Sequence, residues 1–460
     1  MHTLSIWHVV GFVLTLTAIT WVGIHAGRQV KSASDFSTGG GRAGTMAVTG
    51  AMVGSLVGGA STIGTAQLAY TNGFSGIWFT LGAGMGCIAL MFFAQPLRRN
   101  GCVTLQQAIA QEYGQAAGLT SSVLGLVGLF IGLVAQVLSA MALLEALVPL
   151  PPFVCALLTV ILMALFVLFG GVCGASSIGL CKTVLVYLAA VGGGLLALHL
   201  AGGWNAMRVA LPAAQYFDPL SRGLGIDLGK GLSMILGILA TQTNTQIIFS
   251  GRNLPTVRRG LLTAAILIPP IGIGGVLIGI YMRMAAPNVP SAQVFPQFLL
   301  CSMPPLVGGV ALAALLITIV AASASLVLGI GAIFTENIYR RLRPHALDWQ
   351  QLKMTRVSIV VTLALSLLFT AESLQAGILR WSFLAIALRA AMILLPLCCA
   401  LFWPGRVDRR FAMAAIVMGP LCLLVGELAF TLPFDSVFIG MGAAFILMLA
   451  GMLTVQFQRR

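Results

Sequence analysis

The stretch GTMAVTGAMVGSLVGGASTIGTAQLAY, residues 44–70, is long enough to cross a bilayer, yet its composition opposes an uninterrupted helix. A glycine inside a helix costs about 1 kcal/mol relative to alanine, and here glycine occupies positions 50, 54, 58, 59 and 64. The spacing of four residues between the first three is typical of close helix contact in membranes, which is one interpretation. Packing does not require the sequence Gly58, Gly59, Ala60, Ser61 and Thr62, which predicts a helix break whose backbone groups face a small solute.

The composition of the whole chain predicts a polytopic membrane protein. Hydrophobic residues make up 59% and charged residues 8% of the 460 residues, which excludes a soluble globular domain. Apolar runs long enough to cross a bilayer as helices recur along the chain. We predict one integral membrane domain over residues 1–460 with about thirteen transmembrane helices, at 5–26, 44–70, 74–96, 118–148, 152–170, 174–200, 230–250, 257–285, 303–334, 354–371, 376–402, 411–432 and 436–456.

The net charge of +14 indicates a membrane topology and gives no sign of a nucleic-acid partner. With the N-terminus outside, 18 of the 25 Lys and Arg residues fall in cytoplasmic connections and four in outer connections. This asymmetry predicts a protein of the plasma (inner) membrane with its N-terminus outside and its C-terminus in the cytoplasm. The outer connection 201–229 is predicted to be a long loop.

A run of polar side chains interrupts the predicted span 230–250. The segment ATQTNTQ, at 240–246, places six polar residues in succession among apolar ones, and lipid cannot satisfy them. We predict that polar residues of this run face a solute cavity, namely Thr241, Gln242, Thr243 and Gln246. Gln136, alone in the span 118–148, either contributes to the same cavity or makes an interhelical hydrogen bond.

The order of the spans predicts an internal repeat. Two tracts of small residues, 44–70 and 317–341, fall in the first and eighth of the ten spans between residues 44 and 402. Since five spans cross a membrane an odd number of times, two five-span halves have opposite topology, as in inverted repeats. We predict a ten-helix core at 44–402, a peripheral first helix at 5–26 and two C-terminal helices at 411–456.

Six segments, in this order along the chain, resemble the sodium:solute symporter family, which includes carriers of proline, pantothenate, sugars and sialic acid. They are SDFSTGGGRAG (34–44), GGASTIGTAQLAYTNG (58–73), PLRRNGCVTLQQAIAQEYG (96–114), AQVLSAMALLEAL (135–147), TQTNTQIIFSGRN (241–253) and AIFTENIYRRLRP (332–344). The resemblance implies an all-α, leucine-transporter-type 5+5 inverted repeat with one extra N-terminal and two extra C-terminal helices. It also implies a secondary active transporter, a symporter that moves a small polar organic solute by alternating access.

The resemblance further implies a place for the coupling ion. The family's main sodium site uses carbonyl oxygens of the first core helix, which fall on Gly54 and Val57, and two adjacent hydroxyl residues of the eighth, which fall on Ala321 and Ala322. Ser325 is close in sequence, but each residue of shift turns a helical side chain by about 100°. This oxygen-poor set leaves the coupling ion open between Na+ and H+, and no other cofactor or metal is predicted.

Lys182 lies where many relatives carry an acid, and it is the candidate replacement for the sodium ion. If its helix starts near Val172, the lysine lies about 15 Å deep, beside the implied ion site. If the helix starts near Ser177, the side chain snorkels to the cytoplasmic face. In the deep case, burial without a paired acid favours the neutral amine, and protonation is expected to couple to transport.

Other functions have less support in the sequence. A membrane enzyme is not predicted, because the five histidines lie near or outside the membrane boundaries and no span carries a metal or paired-acid motif. The alternative is a non-transporting sensor that retains the fold, although no signalling domain is predicted in the residues that follow the last span. Arg389, inside the span 376–402, either binds a carboxylate substrate or bonds Glu427 or backbone carbonyls. The predicted partners are a small-molecule solute and the lipid bilayer, and the oligomeric state is left open.

Overall fold

The computed structural model describes residues 4–27, 41–102, 104–148, 150–369 and 377–459, without the side chains of 20–27, 169–181 and 459. These residues are all-α, and no strand occurs among them beyond one parallel bridge between Ala43 and Gly251. The predicted fold class is therefore confirmed. Most of the segment SDFSTGGGRAG, residues 34–40, lies outside the described chain.

The helices of the first half include two that are far longer than a bilayer crossing. They are α1 (Ile6–Gly27), α2 (Thr45–Leu56), α3 (Thr65–Asn72), α4 (Trp78–Asn100), α5 (Leu105–Tyr113), α6 (Gln115–Leu147), α7 (Pro152–Val186), α8 (Gly193–Leu200), α9 (Trp204–Ala210) and α10 (Ala213–Tyr216). A π turn at Ala60–Gly64 leads into α3, and another at Tyr187–Gly192 joins α7 to α8. The helix α7 continues without interruption through the connection that was predicted between the spans 152–170 and 174–200.

The second half is organised around one long helix, α13, and one broken pair, α11 and α12. Its helices are α11 (Leu224–Leu239), α12 (Gln242–Ser250), α13 (Leu254–Ala285), α14 (Val294–Ser302), α15 (Pro305–Ile333), α16 (Arg340–Leu342), α17 (Asp348–Leu368), α18 (Ile378–Arg389), α19 (Leu395–Phe402), α20 (Arg409–Ala429) and α21 (Val437–Arg459). A π turn at Phe334–Tyr339 joins α15 to α16, and another at Ala390–Leu394 joins α18 to α19.

Nine helices of the described chain are long and apolar enough to cross a membrane, or ten if α11 and α12 form one bent span. Three shorter apolar helices accompany them, at Ile6–Ile19, Thr45–Leu56 and Pro152–Leu168. The count of thirteen and the inverted repeat stay predictions.

The helix break predicted in the stretch 44–70 is confirmed. The helix α2 ends at Leu56, Val57 is extended (φ −91°, ψ 107°), and helical structure resumes at Ala60. After α3 the chain reverses at Gly73, whose φ of +58° is a conformation that side chains rarely allow. The reversal brings Gly76 against Thr65, so the helical run from residue 60 to residue 100 is not one straight span.

A second break, which the sequence analysis did not predict, divides the span around residues 230–250. The helices α11 and α12 meet at an angle of 51° across Ala240 and Thr241. The amide Nδ2 of Asn244 donates to the carbonyl of Ile238 at 2.8 Å, which satisfies one of the acceptors that the end of α11 leaves open. The polar run therefore follows a helix end and does not lie along a continuous helix.

The predicted outer loop 201–229 is largely helical, and the predicted start of the next span at residue 230 is wrong because α11 begins at Leu224. Buried Asp227 explains the early start. Its carboxylate accepts hydrogen bonds from Ser75 Oγ at 2.7 Å and from Arg222, which ties the first turn of α11 to the turn after α3.

Small residues set the distance between the helices around α13, which packs against α2, α3, α4 and α8. A Cβ atom added to Gly194 of α8 would lie 2.6 Å from the Cα of Gly274, and one added to Gly279 would lie 2.5 Å from the carbonyl oxygen of Ala66. The backbones touch at these crossings, as is typical of membrane helices with small interface residues.

We expect Gly194→Ala to lower the free energy of unfolding by about 1–3 kcal/mol, because the added methyl group has no space against α13. The matched control is Gly442→Ala in α21, where no atom lies within 4 Å of the added Cβ and where alanine favours the helix. Thermal unfolding in detergent measures both. Equal midpoints for the two variants would contradict this account of the packing.

Candidate functional site

The break between α2 and α3 leaves backbone carbonyls without their helical partners. In an unbroken helix, the N–H of Gly58 would donate to the carbonyl of Gly54; here it donates to Ser61 Oγ at 2.9 Å. The carbonyl oxygens of Gly54 and Val57 are therefore open to another donor.

That donor is Lys182, which projects from α7 into the space between α2 and α15. Its Nζ donates to the carbonyl oxygens of Gly54 at 2.8 Å, Val57 at 2.8 Å and Thr318 at 3.1 Å. The residue is only 1% exposed, which favours the deep interpretation over an extension to the membrane surface. We call these three carbonyl oxygens the carbonyl cage.

The carbonyl cage lies beside the residues that correspond to the family's hydroxyl pair. Ala321 and Ala322 are buried on α15, one turn after Thr318, and offer no side-chain oxygen. Ser325 donates back to the carbonyl of Ala321 at 3.3 Å. Thr318 was not among the predicted residues of the ion site, although the three N–H donors of an ammonium require one acceptor more than the two predicted carbonyls.

Gln136 of α6 completes the first break. Its Oε1 accepts the N–H of Gly59 at 2.8 Å. The preceding residue, Gly58, is also tightly packed, since a Cβ atom added to it would lie 2.7 Å from the Cβ of Ala322. The break and the close packing, which were alternative interpretations of the glycines, occur together.

The hydroxyl residues after the glycines bond within the break itself. Ser61 Oγ and Thr62 Oγ1 donate to the carbonyl of Gly58 at 3.0 and 2.8 Å, and Ala60 begins the π turn. These side chains therefore stabilise the broken helix, and their predicted contact with a solute stays a prediction.

The polar residues at the second break divide into two groups. Gln242 Oε1 accepts the N–H of Leu105 at 3.0 Å and so caps the start of α5, while Gln246 is buried further along α12. Thr241 and Thr243 face the other way, and Thr243 Oγ1 lies 3.4 Å from Ser55 Oγ at the end of α2. The two helix breaks thus contact each other.

A cavity of about 60 Å³, which we call the central cavity, lies between these breaks and helices α6 and α18. Of the predicted solute-binding residues, it brings together Gln136, Thr241 and Thr243. Its other polar residues were not among them and are Ser55, Asn244, Ser382 and Arg389. Gln242, Gln246 and the residues Gly58 to Thr62 do not line it.

Three buried polar atoms of this cavity's lining residues have no hydrogen-bond partner in the described structure: Asn244 Oδ1, Ser382 Oγ and Arg389 Nη1. Buried polar atoms are seldom left unpaired in native proteins. All three atoms belong to residues that line the central cavity, which makes this cavity the candidate site for a polar ligand.

The comparison with protein families agrees with this geometry. The model of the sodium:solute symporter family matches residues 36–419. This chain belongs to the sodium:solute symporter family. The protein is therefore an integral membrane transporter, and membership implies a small-molecule solute and an ion as its cargo.

Solved transporters share the fold of this symporter. A Na+-coupled sialic acid symporter in a substrate-bound outward-open state matches with a TM-score of 0.82 and 19% identity over 98% of both chains. A nucleobase-cation-symport-1 family transporter, closed with bromovinylhydantoin bound, matches with a TM-score of 0.61 and 14% identity over 92% of this chain and 95% of that one. At these identities the similarity shows the fold alone.

We expect Gln136→Leu to destabilise this symporter by about 1–3 kcal/mol, because it leaves the buried N–H of Gly59 without an acceptor. The control is Gln297→Leu, whose amide donates to the side chain of Gln293 at 3.2 Å and serves no helix break. Thermal unfolding of both variants in the same detergent provides the measurement. A Gln136 variant as stable as the Gln297 variant would show that the break does not depend on this hydrogen bond.

Proposed function

We propose that this symporter moves a small polar solute by alternating access, with the ammonium group of Lys182 in place of the sodium ion and with protonation as the coupling reaction. The observation that supports it most is the set of three hydrogen bonds from Lys182 Nζ to the carbonyl cage.

The number of acceptors matches a protonated lysine. An ammonium has three N–H donors and no acceptor, and each carbonyl of the cage takes one donor. A sodium ion at this place would need oxygen ligands, but Ala321 and Ala322 supply none, and Ser323 Oγ donates along its own helix to Ile319 at 2.8 Å. The cage is thus suited to a cation that is part of the chain.

The charge of this lysine is not neutralised by a nearby acid on its own helix or on the two helices that it bonds. The sequences of α2, α7 and α15 contain no Asp or Glu. Three backbone dipoles are weaker partners for an ammonium than a carboxylate, and the group is expensive to bury in charged form. A second cation in the same cage would be repelled by it.

Loss of the proton would change the links between helices. A neutral amine has two N–H donors and a lone pair, so one of the three carbonyls would face a lone pair instead of a donor. Because Gly54 and Val57 belong to the first break and Thr318 to α15, that change weakens the connection between α2 and α15. In our proposal this weakening is the step that links proton release to the exchange of conformations.

The solute site in this proposal is the central cavity. It lies against both helix breaks, and its polar residues Gln136, Thr241 and Thr243 come from α6 and from the second break. Movement of either break therefore changes the cavity directly. The other predicted solute-binding residues, Gln242, Gln246 and Gly58 to Thr62, would act at the two helix breaks, on either side of the solute.

Uptake by reconstituted vesicles tests the coupling. Substitution of choline for sodium is expected to leave uptake by the wild-type protein unchanged, and uptake is expected to vary with pH between about 5.5 and 8.5, where buried titratable groups change charge. Lys182→Ala is expected to transport without this dependence on pH, or to lose proton-driven accumulation.

The control is Lys353→Ala, which removes an exposed lysine on α17 and is expected to retain the wild-type pH profile. Strict sodium dependence of the wild-type protein without a response to pH would refute the proposal. Unfolding midpoints of all three proteins in detergent would separate a loss of coupling from a loss of folded protein.

A further inference from the structure

The guanidinium of Arg389 is a second buried cation in this fold, and it lines the central cavity. Arg389 is 5% exposed and is the last residue of α18, directly before the π turn Ala390–Leu394. At about 1.5 Å per residue, it lies about 16 Å along α18 from Ile378, a length close to half of the hydrocarbon thickness of a bilayer.

The hydrogen bonds of the guanidinium are incomplete in the described structure. Its Nε donates to the carbonyl of Ala385 at 2.9 Å, and its Nη1 has no partner. The stem packs on α6, where a Cβ at Gly128 would lie 2.8 Å from Arg389 Cγ. The side chain is therefore held in position, while part of its charged end remains unpaired.

The acid that is a candidate internal partner is engaged elsewhere. Glu427 of α20 lies 3.6 Å from Arg380 Nε and accepts a hydrogen bond from Ser436 Oγ at 2.8 Å. No Asp or Glu occurs among the described residues that line the central cavity. The cavity thus presents a positive charge without a protein counter-ion.

We infer that the solute of this symporter is a small monocarboxylate whose carboxylate group pairs with Arg389, an inference that rests on the proposed solute site. Arginine suits this role, because its planar guanidinium matches the two oxygens of a carboxylate. Ser382 Oγ and Asn244, which also line the cavity and have unpaired atoms, provide further polar contacts.

The rest of the cavity limits what the carboxylate can be attached to. Phe79, Met234 and Leu326 present apolar surface, which accommodates a short carbon chain. An amino acid would also bring an ammonium group, whose positive charge the described lining, which contains no acid, does not neutralise. A volume of about 60 Å³ corresponds to roughly four to six water-sized groups, which is the size of a carboxylate with two to four carbon atoms.

Three small ligands with the same number of carbon atoms test this inference with the wild-type protein: propionate, propionamide, which has nearly the same shape as propionate, and the cationic propylamine. Isothermal titration in detergent is expected to detect propionate and to give at least about tenfold weaker binding of the amide and the amine, which lack the charge that pairs with Arg389. Equal or tighter binding of either analogue would overturn the inference, and so would an absence of propionate binding to folded protein.

Two variants locate the pairing. Arg389→Gln is expected to weaken propionate binding by about a hundredfold or more, and Arg389→Lys by less, since it keeps the charge but loses the planar fork. Arg380→Gln is the control, because that side chain is 62% exposed and bonds Glu427 outside the cavity. Unchanged propionate binding in a folded Arg389→Gln protein would overturn the assignment.

The two proposals fail separately. If propionate binds through Arg389 but uptake depends strictly on sodium, the coupling by Lys182 is wrong and the substrate class stands. If uptake of another solute is independent of sodium and dependent on pH while propionate does not bind, the substrate class is wrong and the coupling stands.

Discussion

Backbone groups that a broken helix exposes inside a membrane must find partners within the protein, because lipid offers none. Much of the architecture around the two breaks follows from this constraint. Lys182 donates to the carbonyls of Gly54 and Val57, and Gln136 accepts a hydrogen bond from the N–H of Gly59. Asn244 donates to the carbonyl of Ile238. Each partner comes from a side chain that would be costly to bury without such a role.

The same constraint supports the proposal that the ammonium of Lys182 replaces a diffusible ion. The break supplies carbonyl oxygens, and any cation with suitable geometry satisfies them. An ion can leave such a site, whereas a side chain remains attached to α7 and changes only its protonation state. In our proposal, the fixed cation links the first break, α7 and α15, and loss of its proton weakens that link.

Two cations, Lys182 and Arg389, lie buried in the described part of the core, and they differ in their hydrogen bonds. Three carbonyl oxygens satisfy Lys182, whereas one carbonyl oxygen bonds Arg389 and the Nη1 atom remains unpaired. A buried polar group whose hydrogen bonds are complete has no donor left for a ligand, while a group with an unpaired atom can still bind one. The difference between the two is visible only in their hydrogen bonds, because burial and charge are alike.

Local patterns in the sequence predicted much of the fold. Apolar length predicted an all-helical membrane protein, the pair Gly58 and Gly59 predicted the first break, and the run at 240–246 predicted polar groups inside the protein. The second break was missed, because a run of polar residues has the same composition whether it lies along a helix or begins a new one. The early start of α11 was missed for a similar reason. An aspartate is typical of a loop, and only the tertiary structure shows that Ser75 and Arg222 donate hydrogen bonds to buried Asp227.

The sequence by itself determined that this chain is a helical membrane protein with an interrupted first core helix, since hydropathy and glycine content act over neighbouring residues. The tertiary structure alone decided which groups meet. In the tertiary structure Lys182 is buried and donates to the carbonyl of Thr318 as well. Gln242 accepts the N–H of Leu105, and Glu427 pairs with Arg380. These contacts join segments as many as 137 residues apart, and they depend on the depth and rotation at which helices pack, which the spacing of residues along one helix does not specify.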